Sequence, residues 1–214
     1  MYDVYKIREQ FPMLKKTMQG KPLVFLDNAS TTFKPQCVID AVNNYYLNVT
    51  SNSSRGDYDL TNIVDNEIDE TRNNVAKFVN CNPKEVIFTG GDTLSINHVA
   101  YGYGLKFLKK NDEILLTEAE HASNVLPWYH IAKLTGAKIK FIPLNDDGEI
   151  TIENFKKSIN SSTKLVCVAH IGNVLGYEAP IKDIIKIAHE FGALVLVDGA
   201  QSVPHIKTDF KDLD

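Results

Sequence analysis

In this sequence of 214 residues, polar side chains capable of chemistry repeatedly follow short apolar runs. Asp198 closes the run Ala193-Leu194-Val195-Leu196-Val197 and is followed by Gly199, Ala200 and Gln201. That run does not alternate apolar with polar and reads as a strand buried on both faces. A carboxylate at its end must be paired, because desolvating a lone charge is expensive. It suits the cationic nitrogen of a heterocycle, and equally the backbone amides of the next turn. His121, within Glu120-His121-Ala122-Ser123-Asn124, could stack on a planar ring, hydrogen-bond a substrate or simply fill space. Gly90-Gly91-Asp92-Thr93 turns from a strand-like run into a helix-like one. Open N–H groups and the helix dipole favour an anion there, such as a phosphate, and Thr93 adds a hydroxyl. A plain turn with Asp92 as N-cap is the simpler alternative, and a carboxylate beside a phosphate is repulsive unless it points away. Asn173 and Gln201 are amides at strand ends, of the kind that often tie loops together.

The elements that must position these groups alternate. Strand-like runs lie at 23–27, 85–89, 113–118, 137–144, 163–170 and 193–198, with helix-like stretches near 35–48, 61–79, 93–109, 124–135, 151–159 and 180–191. In the second helix Ile63, Val64, Ile68, Val75 and Phe78 recur at helical spacing. Thr151 is placed to cap the stretch after it, and "NDDGE" (145–149) is a turn. Strands alternating with helices predict an α/β fold with a mostly parallel sheet flanked by helices. In such sheets ligands bind beyond the carboxyl ends of the strands. Asn28-Ala29-Ser30, Thr93, His121, Asn173, Asp198 and Gln201 all follow strand-like runs, and so collect at one sheet edge. A phosphate-like turn, a stacking imidazole, an acid for a ring nitrogen and two amides together describe a pyridoxal phosphate pocket.

Bulk composition narrows the class. The net charge of −4 argues against a nucleic-acid binder, which usually has a basic footprint. Cys37, Cys81 and Cys167 are odd in number and lack Cys-x-x-Cys spacing, so neither a disulfide framework nor a metal site is suggested. Cys167 sits in an apolar run and reads as core. The start is charged, without a signal-peptide core, and no apolar run reaches the length of a membrane span. A cytoplasmic compartment is the expectation.

The stretches "FLDNASTT", "RGDYDLT", "TEAEHASNVLPW", "HIGNVLG" and "VLVDGAQSVPH", in that order, resemble the SufS-type cysteine desulfurases of the class V aminotransferase fold, over essentially the whole chain. The resemblance implies the large domain of a fold-type I pyridoxal 5'-phosphate enzyme. Residues 1–20 would form an N-terminal helical segment and residues 21–214 an incomplete cofactor-binding large domain. The implied reaction converts L-cysteine to L-alanine and leaves an enzyme-bound persulfide for a sulfur-acceptor or scaffold protein of iron–sulfur cluster assembly. The complete enzyme would be a homodimer. By motif, Thr93 with Asp92 beside it would meet the cofactor phosphate, and the catalytic His121 would stack on the pyridine ring. Asn173 would lie near the ring's substituents, Asp198 would pair with the ring nitrogen and Gln201 would bond the ring hydroxyl. Asn28, Ala29 and Ser30 would lie near the substrate carboxylate.

This sequence also departs from the family. The Ser-x-His-Lys motif that supplies the cofactor lysine, the catalytic cysteine and the small domain all lie beyond the matching stretch. None of Cys37, Cys81 or Cys167 aligns with the nucleophile. The family's His-Arg-Gly-x-His reads Ser54-Arg55-Gly56-Asp57-Tyr58, its Arg-Gly-Thr-Thr reads Gly90-Gly91-Asp92-Thr93, and Gly172 replaces the serine before Asn173. The chain is therefore expected to be the N-terminal portion of a longer desulfurase, inactive alone, with an exposed apolar surface where the small domain would sit. Two alternatives stand beside this. One is a catalytically dead module that pairs with a full-length desulfurase or scaffold. The other is another class V enzyme, such as a selenocysteine lyase or an aminotransferase.

Overall fold

The computed structural model of the chain describes residues 2–214. Its contacts divide it into two units, one running to Asn74 and the other spanning Val75–Asp214. The first unit holds α1 (Val4–Glu9), a 3₁₀ turn (Pro12–Lys15), a hairpin of β1 (Thr17–Met18) and β2 (Lys21–Pro22), α2 (Gln36–Asn44) with a π turn (Tyr45–Val49), and the start of α3 (Asp59–Val79). Asp3 caps α1 by accepting from the Lys6 N–H at 3.1 Å. Gly56 is forced by close approach: a Cβ there would come within 2.5 Å of the Thr61 hydroxyl. Thr61 is buried, and Ser51 Oγ lies 2.9 Å from the Tyr58 hydroxyl and 3.0 Å from that of Thr61. Tyr58, where the family pattern has histidine, is thus held by hydroxyl partners.

The second unit carries the sheet. In chain order it contains α4 (Asp92–Val99), a π turn (Ala100–Gly104), α5 (Leu105–Phe107), β3 (Glu113–Thr117), a 3₁₀ turn (Ala122–Asn124), α6 (Leu126–Thr135), β4 (Lys138–Ile142), α7 (Ile152–Ser158), β5 (Thr163–Ala169), α8 (Ile181–Glu190), β6 (Leu194–Asp198) and α9 (Phe210–Leu213). The strands pair in parallel in the order β4-β3-β5-β6. Chain order reverses between β3 and β5, so their carboxyl ends form the switch point, the place where ligands bind in sheets of this kind. Alternate residues serve two cores. Leu115, Val166 and Val168 meet Phe155, Ile181, Ile184 and Ala188 from α7 and α8. Ile114, Leu116, Leu165 and Cys167 meet Ile96, Trp128 and Ile131 from α4 and α6. A strand buried on both faces has no polar alternation, which is why β3 and β5 read as continuous apolar runs.

Three expectations are corrected. Residues 23–27 and 85–89 are not strands: Val24 and Leu26 are 76% and 90% exposed, and Ile87 is 78% exposed. Side-chain propensity makes a strand only where a neighbour supplies the ladder. β6 is half-buried rather than buried on both faces, with Leu194 49% exposed, because it ends the sheet among the described residues. On α3 the buried apolar residues are Val64, Ala76 and Val79, while Ile63 and Phe78 stay exposed. The expected turn at 145–149 is built by Asn145, whose side chain accepts from the Asp147 and Glu149 N–H groups, and Thr151 caps α7.

At the opposite end of β3, Glu113 is buried, bound by Lys140 at 2.7 Å and Asn160 at 2.7 Å. Burial pushes its carboxyl up, but the bonds from Lys140 and Asn160 and the lysine charge outweigh that and lower it from its ordinary value of 4.5. A carboxyl lowered by folding contributes stability above 4.5 that is lost as pH falls through the lower folded value. Glu113→Gln should therefore lower stability at neutral pH and flatten the acid limb. Urea unfolding across that range checks this, and an unchanged acid limb would contradict it.

Candidate active site

The site grows from the exit of β3. Thr117 is its last residue, and the chain then turns through Glu118 and Ala119 to Glu120. Glu120 Oε1 accepts from the Thr117 hydroxyl at 2.5 Å and from the Ala169 N–H, at the end of β5, at 3.0 Å. Its Oε2 accepts from the Asn124 amide at 2.7 Å. Asn124 is fully buried and in turn accepts from the Trp128 indole at 3.4 Å. The carboxylate therefore clamps the β3 exit to the β5 end at the switch point. Burial pushes its pKa up, against the lowering effect of these three bonds. Sequence reading missed Glu120, although the logic applied to Asp198 was available: an acid just past a buried strand needs partners.

The clamp sets down the next residue. His121 is exposed, and its carbonyl accepts from the Asn124 N–H at 2.8 Å. Its Nδ1 accepts from the Ser123 N–H at 3.2 Å and lies 2.7 Å from the Ser123 hydroxyl. The orientation of the ring is thereby fixed.

Asp198 ends β6 and is 7% exposed. It lies on the sheet face of Leu196, and it accepts from the Ala200 N–H at 3.0 Å. The backbone pairing, one of the two readings expected equally for this residue, is thus present. Three residues on, the Gln201 amide donates to Asn173 Oδ1 at 2.6 Å, joining the turns after β6 and β5. Asp92 opens α4, but the N-cap is Gly91, at φ +140°, and makes no side-chain cap. Asp92 as N-cap is therefore corrected: it is the first helical residue. Burial, then the nearby Asp198, raise its pKa, while His121 lowers it. Asp198 and His121, from two other stretches, thus both act on Asp92. Thr93 is exposed beside Asp92. Asn28, Ala29 and Ser30 lie in the first unit, in an exposed turn where the Ser30 N–H donates to the Asp27 carbonyl at 3.2 Å.

Other features lie apart from this set. A cleft of about 450 Å³ lies against the start of α8 and residues 206–213, bordered by Lys182, Lys207 and Asp212. His170 borders it, and its buried Nδ1 has no hydrogen-bond partner among the described residues. Among those residues no group of His, Cys, Asp and Glu could hold a metal ion, and no helix is long and apolar enough to cross a membrane.

Residues 24–214 match the family described as Aminotransferase class-V. The chain belongs to that family. Among its class V relatives, a probable cysteine desulfurase of Halalkalibacterium halodurans is 43% identical over 212 residues, 99% of this chain and 52% of that protein. The apo structure of a cysteine desulfurase from Thermococcus onnurineus NA1 matches with a TM-score of 0.91 at 33% identity, covering 100% of this chain and 51% of that one. A more distant structure, a C-DES variant with glycine covalently linked to its PLP cofactor, is 24% identical with a TM-score of 0.82, a likeness of fold. The class V chain thus spans about half the length of these relatives.

The Glu120 clamp makes a direct prediction. In Glu120→Gln the new amide would face the Asn124 amide, which cannot turn over without releasing the Trp128 indole. One donor then loses its acceptor, at a cost of about 1–3 kcal/mol. Urea unfolding should show that loss, and an unchanged midpoint would mean that the clamp contributes nothing.

Proposed function

We propose that this chain is the cofactor-binding part of a cytoplasmic, pyridoxal phosphate-dependent cysteine desulfurase that takes L-cysteine to L-alanine. The sulfur would pass as a persulfide to an acceptor or scaffold protein of iron–sulfur assembly, and the complete enzyme would be a homodimer. The observation that carries the reading is that His121 beyond β3, Asn173 beyond β5 and Asp198 and Gln201 at the end of β6 lie at the carboxyl edge of the parallel sheet, with Gln201 bonded to Asn173 at 2.6 Å. The 43% identity to a named probable cysteine desulfurase supports it.

The donor set fits the ring end of the cofactor. His121 offers an exposed imidazole held in one orientation by Ser123. Asp198 offers a carboxylate at a strand end with one backbone N–H already bound, suited to a pyridine nitrogen. The bonded pair Asn173 and Gln201 would face the ring's oxygen substituent. The phosphate end fits in shape only. Gly91 provides the backbone turn, and the first N–H groups of α4 have no partner within the helix, but an acid, Asp92, is the first residue of that helix. When bound, pyridoxal phosphate supplies an electron sink for charge that develops on the substrate. Asn28, Ala29 and Ser30 are assigned to the substrate carboxylate on the motif alone. Cys167 is no candidate for the sulfur-attacking thiolate: it is fully buried, and burial pushes its thiol well above the ordinary value.

Two outcomes follow. Asp198→Ala should weaken binding of pyridoxal phosphate and of pyridoxal by about tenfold or more, the worth of a hydrogen bond to a charged group. Fluorescence titration measures this, and equal affinities would remove Asp198 from its role. Residues 1–214 alone should release neither alanine nor sulfide from L-cysteine, because the motif lysine and cysteine are not among them. Measurable turnover by the pure chain would overturn that statement.

A further inference from the structure

An imidazole in solvent turns among several staggered rotamers, and a planar ligand that stacks on it must first select one of them. His121 lacks that freedom. Although the residue is exposed, its Nδ1 lies 2.7 Å from the Ser123 hydroxyl and accepts from the Ser123 N–H at 3.2 Å. The histidine thereby caps, with its own side chain, the 3₁₀ turn Ala122–Asn124 that follows it. Ser123 is only 8% exposed, so water scarcely competes for the contact that its hydroxyl makes. The turn is itself tied to the sheet. The Asn124 N–H donates to the His121 carbonyl at 2.8 Å, and the Asn124 amide donates to Glu120, which accepts from the Ala169 N–H at the end of β5. A buried hydroxyl on a turn bound to two strands therefore grips an exposed ring. The turn engages Nδ1 alone and leaves the rest of that ring to a ligand.

We propose that Ser123 is a positioning residue of the ring site: its hydroxyl holds the His121 imidazole by Nδ1 in one orientation, so that a planar aromatic ligand meets a ring already set. The ligand rests on the ring-site reading given above; the hold on Nδ1 does not. Ser123 touches no ligand and acts only through the histidine. An alanine at this position removes one atom from the turn. It keeps the N–H to Nδ1 and loses the shorter of the two contacts, so the ring regains part of its rotamer freedom. Ligand affinity then falls by what it takes to select one rotamer again. A serine that merely stabilised the turn would behave differently, because its loss would be felt whether or not an imidazole stood at 121.

The test uses residues 1–214 as parent, with Ser123→Ala, His121→Ala and the double variant. Each protein is titrated with pyridoxal and followed by fluorescence. Ser123→Ala should weaken binding about threefold to tenfold, the range of one hydrogen bond, and should have no further effect once His121 is alanine. Nitrogen-15 NMR of the free proteins gives a second readout that needs no ligand. The Nδ1 resonance of His121 should move in Ser123→Ala, while the other five of the six histidines keep theirs. An unmoved Nδ1 resonance overturns the proposal. So does equal pyridoxal affinity of the parent and Ser123→Ala while His121→Ala binds more weakly. An equal loss from Ser123→Ala in both backgrounds overturns it too, since that marks a turn loosened as a whole. If the parent binds no pyridoxal, or His121→Ala binds it as the parent does, the ring-site reading falls and the proposal falls with it.

Discussion

A carboxylate drawn out of water between two strand ends must find donors or destabilise the fold by several kcal/mol. Glu120 finds three, from Thr117, Ala169 and Asn124, and these come from both sides of the point where the strand order reverses. The parallel ladder between β3 and β5 ends there, so nothing in the sheet itself would hold the two exits together. The clamp does so, and the buried pair Asn124 and Trp128 anchors it to α6. His121 follows directly on Glu120, and its place beyond the carboxyl end of β3 derives from that bond set.

The electrostatics of the crevice follow from the same geometry. Asp198 lies on the sheet face that α4 and α6 cover, because side chains alternate along β6. Asp92 begins α4 and comes within electrostatic reach of it. Glu120 feels Asp198 as well. Three acids thus share one edge of one sheet, each steadied differently: Glu120 by three donors, Asp198 by the Ala200 N–H, Asp92 by the helix dipole and His121.

The apolar residues left in solvent belong to the same account. Ile87 and Phe88, in a run with strand propensity, are 78% and 49% exposed, and β6 ends the sheet with Leu194 half in water. Val174 and Leu175, beside the Asn173–Gln201 pair, are 90% and 55% exposed. The chain spans about half the length of its relatives, and apolar surface of this kind is what further chain or a partner covers.

The sequence by itself determined the alternation of strands and helices, the parallel sheet, the buried strands β3 and β5, the Thr151 cap and the Asn145 turn. It also placed a Gly-rich turn at the head of α4 and an acid at the end of β6. Each of these depends on periodicity, steric demand or hydrogen bonding over a few residues, and such rules can be read along the chain. Only the tertiary structure decided that 23–27 and 85–89 are not strands, because a ladder needs a neighbour that the run cannot name. It alone revealed the Glu120 clamp, which joins residues 49 apart, and the Gln201–Asn173 bond between the turns after β6 and β5. Bonds between side chains of distant elements have no local signature in a sequence.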